Sequence, residues 1–329
     1  MKLITKLFIA LDVIIVFCFL LVYGPIDKAR VFWITTAMET ASHRYFAYIF
    51  YSVDTVNKVM DANLLVEITE ETDASSITIG EIDKVTNYTS VYEKQILERN
   101  EEDLYKLIEF KYGEFDCYLV AIYDPKRVEV AHTKNLNSGE VLTDIAKREG
   151  ALVAINGGGY SWSNYKPLGL IVEDGKIIYA SGYNSFVGAS LTHDGVLLAG
   201  NMSASEIKNK NVKEALSFGP ALIVNGKPAQ IRGTGGSGMN PRTAIAQRKD
   251  GIILFLVVNG YGQNLSWKGR GGVYYSDLIT ILERYGAYNA VNMDGGSSTT
   301  LVIDGKLINS PCEPQKDGQD FIKSAWILK

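Results

Sequence analysis

The sequence predicts an α+β protein with mixed, largely antiparallel sheets, several hairpins and packed helices, preceded by an N-terminal transmembrane helix. Three observations support this fold class. Short β-type apolar runs recur from residue 110 onward, Asp-Gly and Asn-Gly dipeptides follow several of them, and segments with helical periodicity lie between. The chain has 329 residues, of which 47% are hydrophobic and 21% charged, so it can bury a full-sized core.

The N-terminus has the pattern of a membrane anchor. Residues 7–22 are apolar except for Asp12, and Lys2 and Lys6 precede them. This segment is close to the lower limit of roughly 17 residues for a spanning helix, and the positive flank places the rest of the chain outside the cytoplasm. No small-residue cleavage site follows cleanly, which favours an uncleaved signal anchor over residues 1–26, with a buried core helix as the alternative. We therefore expect a single-pass cell-membrane protein whose main domain is extracellular.

Residues 27–109 are expected to connect this anchor to the main domain. Aromatic residues alternate with helix formers in residues 27–60, which indicates a helix near the membrane surface. Acids, Thr and Ser are frequent in residues 61–87, which indicates a stalk. Residues 92–110 have apolar side chains spaced for one helical face and are predicted to form a leading helix.

The main domain, residues 110–329, combines predicted strands with predicted helices. Apolar β runs occupy residues 118–123, 151–155, 252–258 and 301–303, and predicted helices occupy residues 141–149, 204–216 and 276–285. Five hairpin dipeptides lie between strands, namely Asp174-Gly175, Asp194-Gly195, Asn225-Gly226, Asp250-Gly251 and Asp304-Gly305. The acids in these dipeptides have a sufficient structural role as turn residues, so we discount them as catalysts.

One acidic residue, Asp294, differs from the turn acids. It follows an apolar run, Gly295 and Gly296 come next, and hydroxyls begin at once with Ser297 and Ser298. Glycines let the backbone approach a ligand closely, and hydroxyls with freed N–H groups can bind oxygens of a sugar or phosphate. The cluster exceeds the needs of a two-residue turn, so we predict a site at a strand end, with a longer turn as the alternative.

Two further segments are candidate parts of this site. In the run from Asn156 to Tyr160, the asparagine can donate and accept hydrogen bonds, and Tyr160 or Trp162 offers a flat face for a sugar ring; a tight bend is the alternative. Residues 233–238 match GxGxxG, but a β run follows instead of a helix, so a mobile loop or lid is expected rather than a dinucleotide site. The guanidinium of Arg242 can hold a phosphate through two parallel hydrogen bonds, with a solvated arginine as the alternative.

Composition and spacing argue against several ligand classes. The formal net charge is −4 and no long basic run is present, so no nucleic-acid partner is expected. The three histidines, His43, His132 and His193, lack zinc-ligand spacing, and no spacing demands a metal near Asp294. We expect neither a metal nor a cofactor. Cys117 and Cys312 can form a disulfide in an oxidising compartment or can both be free thiols, and the sequence does not decide between these alternatives.

The candidate segments together resemble a known family. In chain order they are residues 156–160, 167–169, 218–220, 241–243 and 292–298, and they are similar to the phosphodiester glycosidase domain family. That family includes the lysosomal mannose-6-phosphate uncovering enzyme and bacterial exopolysaccharide-associated relatives. The resemblance extends from about residue 110 to the C-terminus. It implies hydrolysis of a sugar joined through its anomeric carbon to a phosphodiester, with release of the free sugar and a phosphomonoester.

The resemblance and the chemistry assign roles to twelve residues. A phosphate ester leaves readily as an anion, so the site chiefly needs one carboxylate and a cation with N–H donors. We assign the carboxylate to Asp294, as nucleophile or base, the cation to Arg242, and a further catalytic position to Asn156. The expected substrate-binding residues are Gly157, Gly158, Tyr160, Thr243, Asn259, Gly295, Gly296, Ser297 and Ser298.

The expected function is exofacial hydrolysis of a glycosyl-1-phosphodiester in a cell-envelope or exopolysaccharide glycan. The alternative is a non-catalytic glycan-binding protein that keeps the pocket without turnover. The reason for this alternative is a departure from the family pattern. Asn259 and Tyr261 stand where family members commonly have Asp and Arg. A transferase that passes the sugar to another acceptor is the third reading.

Overall fold

The computed structural model describes residues 3–24, 26–38, 44–80, 87–161, 163–182, 185–262, 270–312 and 316–329. Trp162 and His43 therefore lie outside the described residues. The chain divides into two compact units. The first comprises Met1–Leu65 with Ile231–Gly238, and the second comprises Val66–Gln230 with Met239–Lys329.

Helices and strands follow one another along the described chain. The helices are α1 (Leu3–Tyr23), α2 (Asp27–Met38), α3 (Tyr45–Phe50), α4 (Val53–Ala62), α5 (Val91–Leu97), α6 (Leu142–Glu149), α7 (Glu206–Asn209) and α8 (Tyr275–Arg284). The strands are β1 (Leu65–Val66), β2 (Tyr105–Tyr112), β3 (Phe115–Ile122), β4 (Val128–His132), β5 (Val153–Asn156), β6 (Leu170–Glu173), β7 (Lys176–Ala180), β8 (Phe186–Thr192), β9 (Leu197–Met202), β10 (Val212–Ser217), β11 (Ala221–Val224), β12 (Lys227–Pro228), β13 (Gln230–Ile231), β14 (Arg242–Arg248), β15 (Ile253–Val258), β16 (Ala287–Met293), β17 (Leu301–Ile303), β18 (Lys306–Leu307) and β19 (Ser324–Leu328).

The first unit is helical. Its helices α2, α3 and α4 replace the single helix predicted for residues 27–60, and they pack around a small cluster that includes Ile34, Ala47 and Val56. The Ser52 hydroxyl accepts a hydrogen bond from the Thr55 amide and caps α4. The segment predicted as a mobile loop, residues 233–238, belongs to this unit, where the Thr234 amide donates to Asn63 Oδ1.

The predicted transmembrane helix is wrong. No helix within the described residues combines the length and the apolarity that crossing a membrane requires. Helix α1 carries Lys6 and Asp12, so its longest uninterrupted apolar part is residues 13–22, which falls short of the roughly 17 residues that a spanning segment needs. The expected signal anchor, the membrane as a partner and the single-pass localisation are corrected by this finding.

The second unit is built from three antiparallel sheets. The seven-stranded sheet has the order β12-β11-β16-β14-β15-β3-β2. The β10 sheet has the order β7-β6-β10-β8-β9, and the β5 sheet has the order β18-β17-β5-β19-β4. Their apolar faces share one core, in which Val120 and Phe255 of the first sheet, Leu216 of the second and Trp326 of the third are all buried. Helix α6 packs on the other face of the β5 sheet, through Ile145.

The five predicted hairpins are confirmed. Each dipeptide joins two strands that pair with each other: β6 with β7, β8 with β9, β11 with β12, β14 with β15, and β17 with β18. Asp174 and Gly175 both have positive φ, as do Asn225 with Gly226 and Asp304 with Gly305. Asn, Asp and Gly accept this backbone region most readily, which is why these turns were predictable from sequence.

Two predicted helices are partly strands. Residues 204–216 contain only the short helix α7 before β10 begins, and residues 92–110 contain α5 followed by β2. Strand β10 lies between β6 and β8, so both of its edges are hydrogen-bonded. Pairing on two sides outweighs the local helical pattern. The helices predicted at residues 141–149 and 276–285 are confirmed as α6 and α8, each within one residue or so of its expected bounds.

A buried side chain, Gln247 of β14, joins the seven-stranded sheet to the β10 sheet. Its Oε1 accepts a hydrogen bond from the Leu197 amide at 2.7 Å, and its Nε2 donates to the carbonyls of Gly195 at 2.7 Å and Gly251 at 3.0 Å. Gln247 is fully buried, so water cannot replace it as the hydrogen-bond partner of these three backbone groups. The amide therefore satisfies polar groups that would otherwise be buried without partners.

We expect Gln247→Leu to lower the free energy of unfolding by about 2–4 kcal/mol, because buried backbone groups lose their hydrogen-bond partner. Chemical denaturation followed by circular dichroism measures this loss. Gln230→Leu, at an exposed position, is the control and should change stability little. Equal stability of Gln247→Leu and the wild type would contradict the proposed role.

Candidate active site

Asp294 lies at the end of β16, near the middle of the seven-stranded sheet. Its amide donates to the Gly157 carbonyl at 3.0 Å, so the two glycine clusters meet although they follow strands of different sheets. After Gly295 the chain enters a short helical turn, Gly296–Ser298. The geometry thus brings together the two segments that the sequence singled out.

The Asp294 carboxylate has an unusual environment. Ser298 Oγ donates to its Oδ2 at 2.9 Å, and the Gly295 amide donates to its Oδ1 at 3.0 Å. Burial among protein atoms nevertheless raises the pKa of Asp294 to about 6, and the neighbouring Asp320 carboxylate acts in the same direction. The hydrogen bonds and the positive charge of Arg270 act in the opposite direction. A carboxyl with a pKa near neutrality is typical of a functional site.

The Asn156 side chain holds the Asp294 backbone in place. Its Nδ2 donates to the Asp294 carbonyl at 2.7 Å, and its Oδ1 accepts from Thr243 Oγ1 at 2.7 Å and from the Thr300 amide at 3.1 Å. The side chain is 0% exposed. Asn156 and Thr243 therefore fix the end of β16 against β5 and β14, which is a positioning arrangement rather than a surface for ligand contact.

The first glycine cluster is required by close packing. A Cβ at Gly157 would lie 2.3 Å from Leu216 Cδ1, and a Cβ at Gly158 would lie 2.6 Å from the Ser217 carbonyl oxygen. A Cβ at Gly159 would lie 2.6 Å from the Phe218 ring and 3.3 Å from Asp294 Oδ2. The absent side chains allow β5 to approach the end of β10 and leave Asp294 half-buried rather than fully covered.

The second glycine cluster allows an equally close approach. A Cβ at Gly295 would lie 2.8 Å from the Pro241 carbonyl oxygen, and Gly296 has φ +62° with its amide donating to the same oxygen at 2.9 Å. A Cβ at Gly296 would lie 2.6 Å from Arg270 Nη1. Arg270 is therefore beside the Asp294 turn, and it is a residue that sequence reasoning missed.

A second carboxylate, Asp320, was also missed. Its Oδ2 accepts hydrogen bonds from the hydroxyls of Tyr160 at 3.4 Å, Ser297 at 3.3 Å and Ser298 at 3.3 Å. The single hydroxyl of Ser298 thus lies within hydrogen-bond distance of both carboxylates. No local motif marks Asp320. It lies shortly before β19, and the pairing of β19 with β5 brings this part of the chain to the site.

Arg242 has contacts that the sequence did not indicate. Its Nε donates to the Val273 carbonyl at 3.2 Å, its guanidinium carbon lies 4.1 Å from the centroid of the Tyr275 ring, and the residue is 5% exposed. Successive side chains of a strand point to opposite faces, and Thr243 points toward Asn156. The Arg242 side chain therefore passes beside Gly295, where a Cβ would lie 3.9 Å from Arg242 Cδ, and its guanidinium packs on Tyr275 of α8.

Asn259 is part of the scaffold. It is buried, and its Oδ1 accepts from Asn309 Nδ2 at 3.1 Å and from the Ser310 amide at 3.3 Å. Asn309 in turn bonds the backbone of Thr299 and Leu301, which anchors β17 behind the site. The next departure from the family pattern, Tyr261, donates its hydroxyl to Glu114 at 2.9 Å.

Other possible sites offer less chemistry. Within the part of the chain that the structure describes, no group of three or more His, Cys, Asp or Glu side chains is arranged for a metal ion. No disulfide joins the described cysteines. A cleft of about 420 Å³ lies between residues 68–74 and the β10 sheet, and none of the Asp294 network lines it.

Comparison with known proteins identifies the family. Residues 149–328 match the family model described as phosphodiester glycosidase. The uncharacterized protein YomE, derived from the SPbeta prophage of Bacillus subtilis (strain 168), is 31% identical over 181 residues, which cover 52% of this chain and 27% of that protein. The N-acetylglucosamine-1-phosphodiester alpha-N-acetylglucosaminidase of Mus musculus is 26% identical over 191 residues, which cover 53% of this chain and 36% of the enzyme. The match therefore spans only 27% and 36% of these relatives' lengths.

A solved structure shows the same fold. It is the catalytic domain of the zebrafish N-acetylglucosamine-1-phosphodiester alpha-N-acetylglucosaminidase, auto-inhibited by its pro-peptide. The superposition has a TM-score of 0.58 at 21% identity and covers 70% of this chain and 85% of that chain. The resemblance inferred from the motifs is thus confirmed. The family model matches more than half of this chain, and the matched residues include Asp294, Asn156 and Arg242. The chain therefore belongs to the phosphodiester glycosidase family.

Proposed function

We propose that this protein hydrolyses glycosyl-1-phosphodiesters, releasing the free sugar and a phosphomonoester, and that its substrate is a sugar-phosphate unit of a cell-envelope or exopolysaccharide glycan. Family membership supports a glycosidase-type hydrolase. The name of the mouse relative supports an N-acetylglucosamine-1-phosphodiester as the first substrate to test. The observation that carries the proposal is the Asp294 carboxylate, which lies beside hydroxyls and backbone amides where the two glycine clusters meet.

The two carboxylates support a two-step reaction. Asp294 attacks the anomeric carbon, and the bond from that carbon to the phosphate oxygen breaks with its electron pair leaving on phosphate. Asp320 then takes a proton from a water molecule, which attacks the same carbon and releases Asp294. Because Ser298 Oγ lies 2.9 Å from one Oδ2 atom and 3.3 Å from the other, these atoms lie no more than about 6 Å apart, which is below the roughly 6.5–9.5 Å of inverting glycosidases and compatible with the roughly 5–5.5 Å of retaining ones.

The contacts of two residues weigh against the alternative of a glycan-binding protein without turnover. It rested on the departures at Asn259 and Tyr261. The Asn259 side chain bonds Asn309 and Ser310, and the Tyr261 hydroxyl bonds Glu114, so these contacts of the two departures lie outside the Asp294 network. A carboxylate buried at a cost in stability is also more useful to catalysis than to glycan binding. Hydrolysis is therefore the function that the site supports best.

We expect Asp294→Asn to reduce sugar release from a synthetic α-linked N-acetylglucosamine-1-phosphodiester by at least about a thousandfold, because the nucleophile is lost. Released sugar is measured by chromatography. Asp174→Asn, which keeps a favourable residue in its hairpin, is the matched control and should retain activity. Substantial turnover by Asp294→Asn would contradict the assignment. Transfer of the sugar to added alcohol with little release to water would instead support the transferase reading.

The same substitution should stabilise the fold at high pH. The pKa of Asp294 is raised in the folded protein to about 6, above its ordinary value near 4, so folded-state stability falls as the pH rises through this window. The amide side chain of the variant carries no charge to bury. The melting temperature of Asp294→Asn should exceed that of the wild type at pH 8, and the difference should disappear below about pH 4. A lower melting temperature at pH 8 would contradict the burial argument.

Activity should fall with an acidic limb near pH 6, because Asp294 must be ionised to react. Ser298→Ala removes a hydrogen bond that lowers the pKa of Asp294, so the limb should move to higher pH. The measurement is kcat/KM from about pH 4 to 9, with exposed Ser138→Ala as the control. A wild-type limb near the ordinary carboxyl pKa of about 4, or a downward shift in Ser298→Ala, would refute this assignment.

The sugar should be released with its anomeric configuration retained, since the carboxylate separation favours a double displacement. Proton NMR of the first-formed sugar from an α-linked substrate measures this directly. Asp320→Asn should reduce turnover by about a hundredfold or more, whereas Asp317→Asn, an exposed neighbour, should not. Initial release of the β-anomer would exclude the two-step reaction.

A further inference from the structure

Lys323 is a buried cation that the proposed reaction does not yet use. It directly precedes β19, and it is 1% exposed. Among the described residues, its Nζ has no hydrogen-bond partner. Burial lowers the pKa of Lys323, while the charge of Asp320 acts in the opposite direction. Burying an ammonium without hydrogen-bond acceptors lowers the stability of the folded protein. Such a residue is therefore a candidate for binding an anionic ligand.

The position of Lys323 connects it to the candidate active site. Its Nζ lies 5.2 Å from the centroid of the Tyr160 ring, within the range of a cation–π contact. The hydroxyl of that ring donates to Asp320, which also accepts from Ser298, the residue that bonds Asp294. The Tyr160 ring and its hydroxyl therefore link the ammonium to Asp320, and Ser298 links Asp320 to Asp294.

We propose that Lys323 is the phosphoryl-binding cation of this site, contacting an anionic phosphate oxygen of the substrate and of the phosphomonoester product. This inference rests on the proposed function. Lys carries three N–H donors and no acceptor, so a phosphate oxygen supplies what the buried Nζ lacks. The Tyr160 ring forms one wall of this subsite.

The arrangement of the other charges supports this assignment. The role was expected of Arg242, but that guanidinium bonds the Val273 carbonyl and stacks on Tyr275. Arg270 lies beside Gly296, at the Asp294 turn. In a double displacement the leaving group departs on the side of the general base, here Asp320. A phosphate there meets the negative charge of Asp320, and a cation at Lys323 offsets that repulsion.

The test compares phosphate binding by three variants of the full chain. Lys323→Met keeps the apolar stem and removes the charge, Lys323→Arg keeps the charge, and Lys306→Met at an exposed position is the control. Isothermal titration calorimetry with inorganic phosphate and methyl phosphate, and separately with uncharged N-acetylglucosamine, gives the affinities. We expect Lys323→Met to weaken phosphate binding by about 10–100-fold, the value of a lost charge-assisted hydrogen bond. Sugar binding and the control should be unchanged, and Lys323→Arg should recover part of the affinity.

Kinetics and stability separate this role from a structural one. With a phosphodiester substrate, Lys323→Met should raise KM more than it lowers kcat, and it should melt no lower than the wild type because a buried charge is removed. Phosphate affinity equal to wild type in folded Lys323→Met overturns the inference, as does an absence of phosphate binding by the wild type. If phosphate binding depends on Lys323 but no sugar is released, the proposed function fails and the phosphate site at Lys323 stands without it.

Discussion

The site depends on one junction, where the ends of β5 and β16 are held together. The Asp294 amide bonds the Gly157 carbonyl, and the buried Asn156 side chain bonds the Asp294 carbonyl from the other direction. Thr243 and Thr300 complete the hydrogen bonding of that asparagine. Since β5 and β16 belong to different sheets, this junction fixes the distance between them at the point where Asp294 lies. The geometry around Asp294 therefore follows from backbone contacts and from buried, hydrogen-bonded side chains rather than from exposed, flexible ones.

The junction explains why the glycines are needed and why charges can be buried there. Gly157, Gly158 and Gly295 each lie where a Cβ would overlap a neighbouring strand or carbonyl, so larger residues would separate the sheets. Close packing excludes water, and this raises the pKa of Asp294 and lowers that of Lys323. Both shifts mean that the folded protein holds charged groups at a cost in stability. Such costs are characteristic of sites selected for activity rather than for stability.

Much of the fold and part of the site could be predicted, and the errors have identifiable causes. Five hairpins, helices α6 and α8, and the importance of Asp294 followed from local patterns. The predicted helix over residues 204–216 failed because β10 is paired on both edges, and the predicted membrane anchor failed on the finding for helix α1. Arg242 was favoured because it adjoins a motif, whereas Arg270 and Asp320 adjoin none and were missed.

The sequence by itself determined the turns, the strand ends and the two glycine clusters, because these depend on the backbone preferences of adjacent residues. Asp174, Asn225 and Asp304 take positive φ together with the glycines that follow them, and Asn, Asp and Gly accept this backbone region most readily. Only the tertiary structure decided which groups surround Asp294. Asp320 and Lys323 lie shortly before β19, which pairs with β5, and the Arg242 guanidinium lies on the Tyr275 ring. Such contacts between distant residues are set by sheet pairing and packing, which no local pattern encodes.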